Sequence, residues 1–144
     1  MTATDWENFR EKIKIYDKEW HLRFALWCVK KVVHLYKQNA GRERLERHIC
    51  YVESYLEPPS EKLNVRAGVP LSNFFKSNND RAVWWAAANA AMAANTEDGF
   101  LEYTENAVYW VASVLEGVSA DDLLEEYNPP QLNTISLKEL NRGL

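Results

Sequence analysis

Histidine, cysteine, glycine and proline are all scarce in this chain, and each shortage removes a class of answers. The three histidines, His21, His34 and His48, form no HExxH pair and no set with carboxylates at metal-ligand spacing. Cys28 and Cys50 make no Cys-x-x-Cys element, and His48-Ile49-Cys50 is too little for a zinc site. No metal or other cofactor is therefore expected. Five glycines and five prolines are too few for a turn-rich β-sandwich. No apolar run approaches the roughly 20 residues that a membrane helix needs. The first residues, MTATDWENFREK, have no apolar stretch of the secretory kind, so a cytoplasmic protein with reduced cysteines is expected. Glycine-rich phosphate loops and the GxSxG elbow are missing too.

Basic charge is short in one half only. Residues 1–81 carry a balance of +4 and residues 82–144 one of −8, within a net charge of −4. A dedicated nucleic-acid binder usually has a basic excess on its working face, so none is expected here. An acidic half can attract a basic partner. Equally, the two halves can pair with each other inside one fold.

What the chain does have is aromatic and alanine-rich helical sequence. Residues 81–95 read RAVWWAAANAAMAAN. Alanine is the best helix former, because its side chain loses no rotamer entropy. An alanine helix buries enough only when other helices wrap it, so this segment reads as the centre of a bundle. Ala87, Ala90, Ala91 and Ala94 should face neighbouring backbones, and Asn89 and Asn95 should have hydrogen-bond partners.

Around it, Asp17 can cap a helix over 17–38 that stops at Asn39, Ala40 and Gly41. A second helix covers 42–57 and ends at Pro58 and Pro59. Residues 58–78 read as a long connection, anchored by a helical turn at Leu71, Phe74 and Phe75. The alanine helix begins near Asn79 or Asp80 and ends at Asn95. A further helix covers 100–116, and Ser119 with Asp122 resembles a capping box for a short one. Residues 128–144 read as a loose tail with one turn at 136–141. The 144 residues form one all-α domain of about five main helices around the alanine-rich one.

Two helix faces do not fit a simple core. On the helix over 17–38, Trp20 and Trp27 project among polar residues, and Trp20, Arg23, Trp27, Lys31 and His34 make a continuous ridge of i+3 and i+4 neighbours. Tryptophan and arginine are enriched at binding hot spots, so the ridge is a candidate partner surface. Alternatively, the N-terminal segment or the 58–78 connection covers the two indoles. On the helix over 100–116, Glu102, Glu105, Tyr109 and Glu116 form a carboxylate stripe around a tyrosine. No lysine or arginine lies on that helix. It is either a solvated face or an electrostatic landing site for a basic protein, and the latter is the preferred partner surface. Glu102 and Glu105 lack the Glu-x-x-His element of helical di-iron sites.

Taken in order, WHLRFALWCVKKVVHLY at 20–36, the alanine helix and NAVYWVASVL at 106–115 resemble an all-α family of bacterial polymorphic-toxin immunity proteins, the fifth immunity-protein family. Leu22, Arg23, Ala25 and Trp27 match its opening helix, and Ala107, Tyr109 and Ala112 approximate its later Tyr-Ala segment. Where that family carries histidines on the alanine helix, this chain has none. The resemblance covers about residues 20–116. It implies a small non-catalytic protein that neutralises a cognate toxin by direct binding, and the acidic second half suits a basic toxin domain as that partner. A phage or host adaptor that inhibits another enzyme is the alternative, and a helical enzyme with an unfamiliar site is a third reading.

Overall fold

Each helix of the bundle starts where a side chain or a glycine can end the preceding loop. The computed structural model describes residues 2–57 and 74–127. In chain order the helices are α1 (Ala3–Ile13), α2 (Lys18–Val32), α3 (Arg42–Leu56), α4 (Asn78–Ala94), α5 (Phe100–Val114) and α6 (Ala120–Tyr127), with a 3-10 turn at Val33–Leu35 after α2. No strand occurs among the described residues.

Side chains satisfy several of the helix-start amides that have no partner within their helix. The Asp17 carboxylate accepts the Trp20 amide at 3.0 Å, and the Ser77 hydroxyl accepts that of Asp80 at 3.0 Å. Ser119 and Asp122 bond each other's amides at 2.9 and 3.1 Å, the reciprocal box their spacing suggests. Before α3 the chain passes through Gly41 at φ 80°. A Cβ there would stand 2.7 Å from the Tyr36 hydroxyl and 2.9 Å from the Phe74 ring, so glycine is required on both counts.

Helix α4 is the centre. Its eight alanines, Ala82, Ala86, Ala87, Ala88, Ala90, Ala91, Ala93 and Ala94, are all buried, along with Val83 and Trp84. It packs on α2, α3 and α5. Small side chains on several sides let three helices approach one axis. The asparagines have partners: Asn89 donates to the Trp85 carbonyl at 2.8 Å, and the Tyr51 hydroxyl donates to Asn95 at 2.9 Å. Enlarging Ala91 to leucine is expected to overpack this centre by about 1–3 kcal/mol. A thermal melt of the variant that superimposes on the parent's would place the helix at the surface.

Three local expectations are corrected. The helix expected over 17–38, α2, does not continue to Gln38. Gln38 instead turns inward, donating to the Ala40 carbonyl at 3.0 Å and accepting the Lys76 amide at 2.9 Å. Buried Asp80 accepts the Lys37 amide at 2.7 Å. These tertiary bonds tie the α2–α3 loop to the start of α4 in place of another helical turn. Phe74 and Phe75 are not helical, and Phe75 packs on Trp84 with ring centroids 5.8 Å apart. The rest of the proposed connection, at 58–73 with Leu71, and the tail at 128–144 lie outside the described residues.

The third correction is that the N-terminal segment is itself a helix, α1. Thr2 and Asp5 form a capping box, with bonds of 2.8 and 3.2 Å between each side chain and the other's amide. Phe9 and Ile13, one turn apart, are fully buried. At the far end, the buried His21 ring donates from Nε2 to the Ile13 carbonyl at 2.8 Å, satisfying a helix-end acceptor. Burial lowers the His21 pKa, and this bond partly opposes the shift.

Candidate functional site

The acidic face belongs to α5. Thr104, Ala107, Val108 and Val111 point inward at helical spacing, which turns Glu102, Asn106, Tyr109 and Ser113 to solvent, with Glu116 exposed just past the helix end. Tyr109 is 49% exposed. It and Ile15, on the α1–α2 turn, are the large apolar side chains most open to water among the described residues. Two tryptophans flank the Tyr109 ring: Trp6 of α1 with centroids 5.8 Å apart, and Trp110 edge-on at 5.3 Å. Trp6 in turn stands edge-on to the buried Phe9 at 5.7 Å. An exposed ring is thus braced from beneath by an aromatic chain that reaches the core.

Glu105 is not an open carboxylate. Arg10 of α1 grips it with two parallel bonds, Nε to Oε2 at 2.7 Å and Nη2 to Oε1 at 2.8 Å. Its side chain is only 16% exposed, against 47% for Arg10. The stripe is therefore partly neutralised, by a residue 95 positions away that no reading of α5 alone could supply. Hydrogen bonding to Glu105 and then its charge hold Arg10 more firmly protonated, and the charges of Glu102 and Glu7 add to this. The pairs Trp6–Tyr109 and Arg10–Glu105 set the register. Four residues forward on α1 match four residues back on α5, so the helices run antiparallel.

The ridge on α2 has a different fate. Trp20 stacks on Tyr16 of the α1–α2 turn at 4.0 Å, and Tyr127 of α6 meets it edge-on at 5.9 Å. Trp27 packs against the same Tyr127 at 5.2 Å. Lys31 lies 4.5 Å from the centre of the Trp27 ring and pairs with Glu126 at 2.7 Å. Arg23 remains exposed and pairs with Glu19 along its own helix at 2.9 Å. His34 is exposed but falls in the 3-10 turn, past the end of α2. Both indoles are half-buried, covered by Tyr16 and by α6, so much of this ridge already has an internal partner.

Further polar atoms are buried without partners. Among the described residues, both ring nitrogens of His48, Nε1 of Trp84, Nδ1 of His21 and the hydroxyl of Thr104 have no hydrogen-bond partner. His48 and Trp84 meet edge-on at 5.1 Å between α3 and α4. Burial, and then the charge of Arg44, push the His48 pKa down to about 4, so the ring is neutral at pH 7. Among the described residues, no three His, Cys, Asp or Glu side chains gather as a metal-ligand set. No helix among them is long and apolar enough to cross a membrane. No family model, curated protein or solved structure matches the chain.

Proposed function

We propose that this chain is a non-catalytic binding protein of the immunity type, which neutralises a basic toxin domain by occupying its surface. The observation that carries the reading is Tyr109, an exposed ring braced by Trp6 and Trp110 on a helix face bearing Glu102, with Glu116 exposed just past the helix end. Buried aromatic anchors in the middle of an interface contribute most of its affinity, and a ring already held in place loses little entropy on docking. Uncompensated carboxylates around such an anchor speed the approach of a basic protein and fix its orientation. The resemblance of residues 20–116 to the immunity family points the same way. The half-buried Trp20 and Trp27 make the α2 ridge the weaker candidate.

Affinity capture with the tagged chain from its native host, followed by stoichiometry of the purified complex, tests this reading. A one-to-one complex with a basic toxin domain, whose activity the chain suppresses, is the expected outcome. A captured enzyme unrelated to toxins would favour the adaptor reading. Electrostatic steering is screened over about 8 Å at physiological ionic strength, so association should slow as salt rises. Replacing Glu102 and Glu116 with lysine should cut the on-rate by about tenfold or more while the off-rate changes little. Unchanged association across salt and in this variant would remove the acidic face from the account.

A further inference from the structure

Arg10 sits among three carboxylates and is bonded to one. Glu105 takes its fork, whereas Glu7, one turn back on α1, and Glu102, one turn back on α5, lie close enough for their charges to act on it. Both are exposed, and neither forms an ion pair among the described residues. The stretch therefore keeps two negative charges in excess of its one guanidinium. The antiparallel register puts the Arg10–Glu105 pair one turn from the Trp6–Tyr109 rings, with Glu7 next to Trp6 in the chain and Glu102 about two turns from Tyr109, along the seam between α1 and α5. An open aromatic face beside an unpaired carboxylate suits a guanidinium better than an ammonium, because the planar group can stack on the ring and bond the carboxylate in the same plane. The Arg10–Glu105 pair already displays that forked geometry on this surface.

We infer that the docking face is a composite of α1 and α5, and that it takes an arginine-bearing basic segment of the partner. One arginine lies on the Trp6–Tyr109 rings beside Glu7, and a second basic residue stands opposite Glu102. The inference rests on the proposed docking role of α5 and adds α1, with Trp6 and Glu7, to the surface. Charge complementarity chooses the occupant. A neutral or acidic segment would leave Glu7 and Glu102 unpaired beneath it.

The probe is a helical peptide with two arginines two turns apart, a span of about 10 Å. Its twin carries lysines in their place. Each is titrated into the full chain while the tryptophan indole N–H signals are followed by NMR. The arginine peptide should shift the Trp6 indole signal saturably and bind more tightly than the lysine peptide. Glu7→Gln and Glu102→Gln should each weaken it by about two- to fivefold. Both side chains are exposed and form no ion pair among the described residues, so these variants should fold as the parent does. If Tyr109→Ala and Glu102→Gln weaken binding but Glu7→Gln does not, and the Trp6 signal stays still, the composite arginine site is wrong while the α5 docking role stands. If no variant alters binding, or no saturable shift occurs, both are overturned.

Discussion

Acidification from pH 7 to pH 4 is expected to remove on the order of 3 kcal/mol of stability through His48 alone. The ring is fully buried between α3 and α4, has no hydrogen-bond partner on either nitrogen among the described residues, and in the folded protein takes up a proton only near pH 4. An unfolded chain protonates the same ring near pH 6.5. Its folded pKa is depressed, so the stabilisation is complete above about pH 6.5. It is lost progressively as pH falls toward 4, because the unfolded state binds the proton first. A loss of that size is a large share of the 5–15 kcal/mol typical of a domain. His21 adds a contribution of the same sign, since burial lowers its pKa as well. The check is chemical denaturation at a series of pH values, comparing the parent with His48→Leu. The leucine variant removes two buried polar atoms that no described residue satisfies, so it should be at least as stable at pH 7 and should lose most of the slope between pH 6.5 and 4. An unchanged slope in that variant would mean that the His48 site is open to water.

Phe9→Ala is expected to cost about 3–5 kcal/mol, the usual penalty for truncating a buried aromatic ring. Phe9 is fully buried, edge-on to Trp6 at 5.7 Å and tilted against Phe24 at 6.4 Å. With Ile13, it supplies the buried apolar side chains of α1. A helix of eleven residues is marginal alone, so α1 depends on that burial more than on its own propensity. Its loss should be visible twice. Urea denaturation should show the drop in stability, and hydrogen exchange should show α1 opening before α4. Because Trp6 braces Tyr109, the Tyr109 ring should also become more mobile in this variant. A Phe9→Ala protein with parental stability would mean that α1 does not dock as described.

These two side chains also show why some of the fold was legible and some was not. Alanine content, capping residues and the Pro and Gly stops locate α3 to α6 within about two residues, because those signals are local. The start of α2 at Asp17 is legible for the same reason. Its end is not, since Gln38 and Asp80 outbid the next helical turn with bonds across 38 and 43 residues. Helix α1 carries a local signal, the Thr2–Asp5 box, but only two of its residues are buried, which leaves little apolar periodicity to read.

Candidate surfaces divide along the same line. Projecting α5 as a helix turns Glu102, Tyr109 and Ser113 outward, as found. The projection cannot supply Arg10, which neutralises Glu105 from the other end of the chain. On α2 it places Trp20 and Trp27 on a polar side, yet Tyr127 covers them from about one hundred residues away. A helical wheel reports which residues share a face. What lies on that face depends on the rest of the fold.

The most direct measurement is the dissociation rate of the captured partner from Tyr109→Ala and, in parallel, from Trp27→Ala. Docking through the braced tyrosine predicts a rise of about 30-fold or more for Tyr109→Ala, the loss of one anchor worth about 2 kcal/mol. Trp27→Ala, once shown to be folded, should release the partner at close to the parental rate. The reverse pattern, with fast release from Trp27→Ala and parental release from Tyr109→Ala, would contradict the account and move the interface to the α2 ridge.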